Sequence, residues 1–386
     1  MAINKKIKIT VIGRGNAGCL TALHFGYYTR RNNHNVSVEL LYDPRIPPEK
    51  VGQGTLLEPP QLLWDALGID WYNNPIDATP KLGILYENWG KKRDKVFHPF
   101  PLNQTALHYT PSKLQETILK SGYFSVQEKH IDTYEQIDSD YIFDCRGKPS
   151  GNWENYEELE GIPVNAVILT QDSKRDPYAN WTRAVATPDG WCFVIPNTSN
   201  TNSYGYLYNH QITSDNAAKE NFEKLFEVEA ADQLKFKHYV AKNPIIDDRI
   251  ILNGNRLFFL EPLEATAIAS YLAWIRMVWD WIIAGRNTST EVTRDFHTYI
   301  HQIKNFITWH YMYGSKYDTP FWEATGKLKI EDPLFDKTLL IAKQLSMVDL
   351  FALSAKANGQ NDYGQWQPWN FKYWHDGMTK EENGSK

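Results

Sequence analysis

The stretch that most limits what this chain can become is Gly13-Arg14-Gly15-Asn16-Ala17-Gly18, which follows directly on the apolar pattern Ile7-Lys8-Ile9-Thr10-Val11-Ile12 and opens an amphipathic stretch, Cys19 to Tyr28. Strand, glycine turn and helix in that order are the context a dinucleotide fingerprint requires. Gly13 permits the tight turn, Gly15 lets the backbone approach a pyrophosphate at the helix N-terminus, and Gly18 lets helix and strand pack closely. The alternative is a purely structural glycine turn. A second strand, Val36 to Tyr42, ends at Asp43, where an acid would accept hydrogen bonds from the adenosine ribose hydroxyls. Together these segments predict an α/β chain with a Rossmann-like start.

With 386 residues the chain can bury a sizeable core, as one large domain or two interleaved ones. A formal charge of −5 offers no basic field for phosphate backbones, which argues against nucleic acid as a partner. Aromatic residues make up 14%, with 14 tryptophans, a supply that suits either a site for flat ligands or a thick aromatic core. Cys19, Cys145 and Cys192 lie far apart in apolar segments and read as reduced thiols of a cytoplasmic protein. Met1 to Lys6 runs into a strand rather than a secretory signal. Arg276 and Asp280 inside the apolar stretch 266–284 make it a buried helix, not a membrane span.

Several later segments have a readable form. Gln61 to Gly68 is a short helix stopped by glycine, Ser112 to Ser121 a further helix, and Tyr141 to Gly147 a buried strand with a glycine end. Lys81 opens an alternating strand in which Leu82, Ile84 and Tyr86 face one way and Lys81, Gly83 and Leu85 the other; by itself the pattern favours a lysine that snorkels to solvent. Phe97-His98-Pro99-Phe100-Pro101 is extended and rigid. Asn180–Thr187, Gly190–Pro196 and Ser203–Tyr208 alternate as strands of an antiparallel sheet, with a helix at Ala217 to Val228. Pro262 places a helix start just after itself, with Glu264 and Thr266 near the first turn and Glu264 as its simplest cap. Asp295 to Tyr313 is helical, Lys337 to Ala357 supplies one or two helices, and Glu381 to Lys386 is a polar tail.

Taken in order, these segments resemble the flavin-dependent halogenases of the tryptophan-halogenase type, a shortened member of the kind its viral branch holds. The resemblance rests on the glycine fingerprint, Val51-Gly52-Gln53-Gly54-Thr55, Lys81-Leu82-Gly83-Ile84, His98-Pro99-Phe100, Trp191-x-Phe193-x-Ile195-Pro196, Glu261-Pro262-Leu263-Glu264-Ala265-Thr266, His310-Tyr311 and Asp318-x-x-Phe321-Trp322. It departs from the family at Tyr42 for Glu, Arg146 for Ser, Phe193 for the second Trp, Phe258 for a small glycine step and Ala265 for Ser.

The resemblance implies an FAD-binding Rossmann-like flavin-monooxygenase fold with an inserted antiparallel sheet and a helical C-terminal part. Its expected divisions are 1–165 with 250–290, 166–249, and 291–386. It also implies reduced FAD supplied by a separate flavin reductase, O2 giving a flavin hydroperoxide, halide attack giving hypohalous acid, and transfer to electron-rich aromatics. Lys81 and Glu264 would be catalytic, Gly13, Gly15, Gly18, Asp43, Gly54 and Leu260 would bind the cofactor, Thr266 and Ala267 the halide, and His98, Pro99 and Phe100 the substrate. No metal, nucleic acid or membrane is implied, and a homo-oligomer is. Two rivals stay open: a flavin monooxygenase of aromatic substrates, and a flavin- or indole-binding protein without turnover.

Overall fold

The computed structural model describes residues 6–47, 53–55, 59–100, 106–151, 153–173, 179–197, 200–346 and 363–380. Val51 and Gly52 of the glycine loop, Pro101, residues 347–357 and the tail 381–386 lie outside the described residues. The chain divides into two compact units, one of Met1–Thr79, Ala106–Glu158 and His238–His297, the other of Pro80–Thr105, Leu159–Lys237 and Thr298–Lys386.

The first unit is built on a six-stranded sheet in the order Ile245–Ile246, Ile250–Leu252, Tyr141–Asp144, Ile7–Ile12, Val36–Tyr42, Ser125–Glu128. Every pairing except the first hairpin is parallel, so Val11, Leu40, Ile142 and Ile251, all buried, form near-continuous apolar runs. The helix expected from Cys19 to Tyr28 runs from Asn16 to Arg31 and buries most of its circumference, not one face. It packs against the helices Pro111–Leu119 and Thr266–Ile282. The latter is fixed by Trp274, whose Nε1 donates to the Leu252 carbonyl at 2.8 Å and whose ring lies 4.7 Å from that of Phe296.

That helix does not begin just after Pro262. Leu263–Ala265 forms a 3-10 turn in which Glu264 (φ 70°) and Ala265 (φ 54°) both take left-handed backbone, and the α-helix starts at Thr266. The two reversals turn the chain while Leu263 stays buried, so the entry is a bend rather than a first helical turn. Glu264 therefore does not cap the helix, which has no side-chain cap.

The second unit holds a seven-stranded sheet in the order Asp232–Lys235, Ala166–Asp172, Asn202–Tyr208, Gly190–Pro196, Thr182–Thr187, Gly83–Glu87, Lys95–Pro99. The expected antiparallel sheet is present, extended by Gly83–Glu87, which pairs parallel with Thr182–Thr187. Tyr204, Tyr206 and Tyr208 project from one face onto Ala218 and Phe222 of the helix Asp215–Phe226. On the C-terminal side, Trp309 stacks on Phe371 and meets Phe335 edge-on, and Asn305 and Tyr363 hydrogen-bond to Asp332, joining the helices that contain or flank them.

The strand expected to run unbroken from Lys81 is interrupted at Leu82. Thr79–Lys81 and Gly83–Glu87 are separate strands, and Leu82 donates to the Asn180 carbonyl at 2.7 Å and accepts from the Phe100 amide at 2.8 Å. The break resets the pleat: Leu82 is 49% exposed, off the face it was expected to share with the buried Ile84 and Tyr86.

Candidate active site

In the first unit the glycine turn has the shape its sequence demands. Gly13 sits at φ +107°, where a Cβ would lie 2.6 Å from the Cys145 carbonyl oxygen, and a Cβ on Gly18 would lie 1.9 Å from that of Gly13. Gly15 is the extended residue before the helix, with no side-chain cap and nothing within 4 Å of where its Cβ would stand. Uncapped helix N–H groups beside open space are what a pyrophosphate needs, so the turn fits the ADP half of a dinucleotide such as FAD. Gly54 pairs with His108, and Thr55 closes this small ladder by donating its amide to Leu107 and accepting the Leu107 amide on its hydroxyl.

At the end of Val36–Tyr42 the surroundings of Asp43 are crowded. Its carboxylate accepts from the Arg45 amide, Nε and Nη2 and from His130 Nδ1, and the Arg45 hydrogen bonds hold its carboxyl well below the usual range. Deeper in, Asp144 is fully buried and takes Arg146 at 2.9 Å, the Tyr134 hydroxyl at 2.7 Å and Arg256 at 3.1 Å. Burial opposes its charge, but the guanidinium hydrogen bonds prevail and its carboxyl titrates below the usual range. Arg146, standing where the family has serine, is thus half of an internal ion pair.

Leu260, Glu261 and Glu264 are buried, as is Thr266, while Ala267 is half-buried. Thr266 and Ala267 are the first two residues of a 17-residue helix whose dipole favours negative charge at this end. Phe258, the large residue at the family's glycine step, points into the core against Tyr271 and Phe296, with ring centroids 5.7 and 5.9 Å away.

In the second unit Lys81 is 0% exposed, the reverse of the solvated lysine its strand pattern favoured. Its Nζ lies 5.4 Å from the centroid of the Phe100 ring, within cation–π reach. Strand pairing sets His98 opposite Ile84 and Pro99 opposite Gly83, on the strand that follows Lys81 after the break at Leu82, and the Phe100 amide donates to the Leu82 carbonyl. A Cβ on Gly83 would lie 2.4 Å from the His98 carbonyl, so only glycine permits this approach. Burial drives His98 down to about 3, and Asn370 Nδ2 lies 3.2 Å from its Nε2. His98 is therefore neutral, with Nε2 as acceptor and the proton on Nδ1. His310 donates Nδ1–H to the Phe306 carbonyl and stacks 4.0 Å from Trp374. Phe193, at the position of the second tryptophan, lays its ring over Gly205, where a Cβ would lie 2.1 Å from it, so the ring fills the space that glycine leaves.

Sequence reasoning missed two features. Trp369 and Tyr373, at i,i+4 on the helix Pro368–Thr379, both meet the His98 ring; that spacing was available as a signal. Arg14, whose guanidinium lies 4.7 Å from the centroid of the Tyr42 ring, has no sequence signal, because the variable positions of a glycine fingerprint carry no rule.

The tryptophan halogenase family model matches residues 8–135 and 120–378. The tryptophan 6-halogenase ThaL of Streptomyces albogriseolus is 21% identical over 445 residues, spanning 87% of this chain and 82% of that protein. The tryptophan 7-halogenase KtzQ of Kutzneria sp. (strain 744) is 25% identical over 442 residues, spanning 86% of this chain and 81% of that protein. The solved structure of BrvH, a flavin-dependent halogenase from Brevundimonas sp. BAL3, superposes with a TM-score of 0.76 at 17% identity, covering 97% of this chain and 90% of that one. Matched along nearly its whole length, the chain belongs to the tryptophan halogenase family and is an enzyme of the flavin-dependent halogenase class.

Proposed function

We propose that this halogenase uses FADH2, O2 and halide to form hypohalous acid and delivers the halogen to electron-rich aromatic substrates, indoles and phenols, through Lys81 and Glu264. The observation that carries the reading is the complete burial of Lys81, an amine withdrawn from water beside the ring of Phe100. A buried ammonium or amine is costly to keep, which favours a functional reason for it.

Bound reduced FAD supplies the activation of O2 that oxidises the halide. Gly13, Gly15 and Gly18 would hold its pyrophosphate, with Asp43 at the end of the neighbouring strand, and Gly54 and Leu260 would contact its flavin. Thr266 and Ala267 offer backbone N–H groups to the halide. Lys81 takes hypohalous acid as a hydrogen-bonded guest or as a haloamine, shielded from solvent. From the hydrogen-bonded acid the oxygen leaves as water with a proton from the Lys81 ammonium, and on the haloamine route water leaves as the N–halogen bond forms. In both the aromatic carbon attacks the halogen and Glu264 accepts the ring proton as general base, the equivalent that restores Lys81. Neutral His98, with Pro99 and Phe100, sets the height and tilt of the substrate ring. The sequence holds no second nucleotide fingerprint, so the FADH2 comes from a separate reductase.

The test is the mass spectrum of products formed from a panel of indoles and phenols with a flavin reductase, FAD, a nicotinamide donor and bromide. A brominated aromatic is expected. A hydroxylated aromatic without bromine would transfer the reading to the monooxygenase rival, and hydrogen peroxide as sole product to the binding-protein rival.

A further inference from the structure

Where a Rossmann-like site usually reads the adenosine ribose with a carboxylate at the end of the second strand, this chain has Tyr42 and Asp43. Asp43 is committed elsewhere. Its two oxygens accept three Arg45 donors and His130 Nδ1, which fills most of a carboxylate's acceptor capacity. It also closes a local turn, its carbonyl accepting the Ile46 amide at 3.2 Å. Asp43 locks the turn that follows the strand.

A cation occupies the neighbouring ground. Arg14, between the first two glycines, lays its guanidinium 4.7 Å from the centroid of the Tyr42 ring. Its Nη2 donates to the Ile46 carbonyl at 2.9 Å, and its Nε is buried without a hydrogen-bond partner among the described residues. The Tyr42 ring is itself held, its hydroxyl donating to Glu128 at 2.8 Å. A planar, permanently charged donor is thus pre-organised on an aromatic platform at the mouth of the nucleotide turn.

We infer that Arg14, supported by Tyr42, is the residue that binds the adenosine ribose-phosphate of the cofactor, in place of a ribose-reading carboxylate. This rests on the FAD-dependent reading above. The exchange reverses the sign of recognition: a carboxylate accepts from ribose hydroxyls and repels phosphate, whereas a guanidinium donates to ribose oxygens and attracts phosphate. Arg14 therefore discriminates FAD from FMN, which lacks the adenylate half.

The experiment measures dissociation constants of the full-length protein for FAD and FMN by titration calorimetry, with ADP as competitor, for the wild type, Arg14→Met, Arg14→Lys and Asp43→Asn. Loss of one charge-assisted hydrogen bond predicts that Arg14→Met weakens FAD and ADP by about tenfold to a hundredfold. FMN binding should be unchanged, and Arg14→Lys, which keeps the charge without the planar fork, should lie between. Asp43→Asn, at a carboxylate already engaged by Arg45 and His130, should lose less FAD affinity than Arg14→Met. Unchanged FAD affinity in Arg14→Met would overturn the inference, as would an equal loss of FMN or a larger loss of FAD in Asp43→Asn. A wild type that binds no FAD would instead overturn the reading on which it rests.

Discussion

At the scale of single residues, two buried ionisable groups, Lys81 and Glu264, and one strained bend set the chemistry proposed for this chain. Glu264 keeps a left-handed backbone (φ 70°) although it is not glycine, followed by Ala265 at φ 54°. Left-handed backbone costs a non-glycine residue roughly 1–2 kcal/mol, and such strain gathers where a structure must aim a functional group. Glu264→Gln preserves shape and removes the base, so it should lower the halogenation rate by about 10²- to 10⁴-fold with the melting temperature nearly unchanged. Steady-state turnover beside a thermal melt checks this; full activity in Glu264→Gln would remove the carboxylate from the chemistry. The sequence marked Glu264 by its neighbours but gave no sign of its backbone, because two successive left-handed residues without glycine or asparagine lie outside local turn rules.

At the scale of elements, the glycine turn is the part read most fully from sequence. Its strand and glycines are where the pattern put them, because an apolar parallel strand followed by a Gly-x-Gly-x-x-Gly turn has few other solutions. Gly18→Ala would drive a Cβ into the Gly13 carbonyl, a backbone atom that cannot step aside. The variant should lose FAD affinity and about 1–3 kcal/mol of stability, read by calorimetric titration and denaturant melts; wild-type affinity would show that the turn does not hold the cofactor. The strand at Lys81 was read less well. Alternation assumes an unbroken pleat, and the interruption at Leu82 comes from its pairing with Asn180 and Phe100, residues remote in sequence. The burial of Lys81 was invisible for the same reason: tertiary partners, not local pattern, decide whether a strand-end lysine reaches water.

At the scale of the whole molecule, three histidines, His24, His98 and His238, are buried and driven from 6.5 to about 3 by desolvation. Their folded-state values are depressed, so between about pH 6.5 and 3 the unfolded chain binds more protons, and stability falls as pH falls through that window. The slope is about 1.4 kcal/mol per pH unit for each histidine once pH is well below 6.5. Denaturant melts at pH 7.5 and 5 should show the loss, and His98→Gln should make the dependence shallower; a pH-independent midpoint would contradict the burial of these rings. Fold class followed from ordered motifs, whereas the joining of Gly83–Glu87 to the second-unit sheet did not, since its parallel pairing with Thr182–Thr187 spans about a hundred residues and leaves no local trace. The most direct test of the account is bromination of an indole by Lys81→Ala against the wild type, with reductase, FAD and bromide, alongside a titration of FAD binding. FAD affinity should be kept while brominated product falls at least about a hundredfold; a variant that brominates at the wild-type rate would remove Lys81 from halogen delivery.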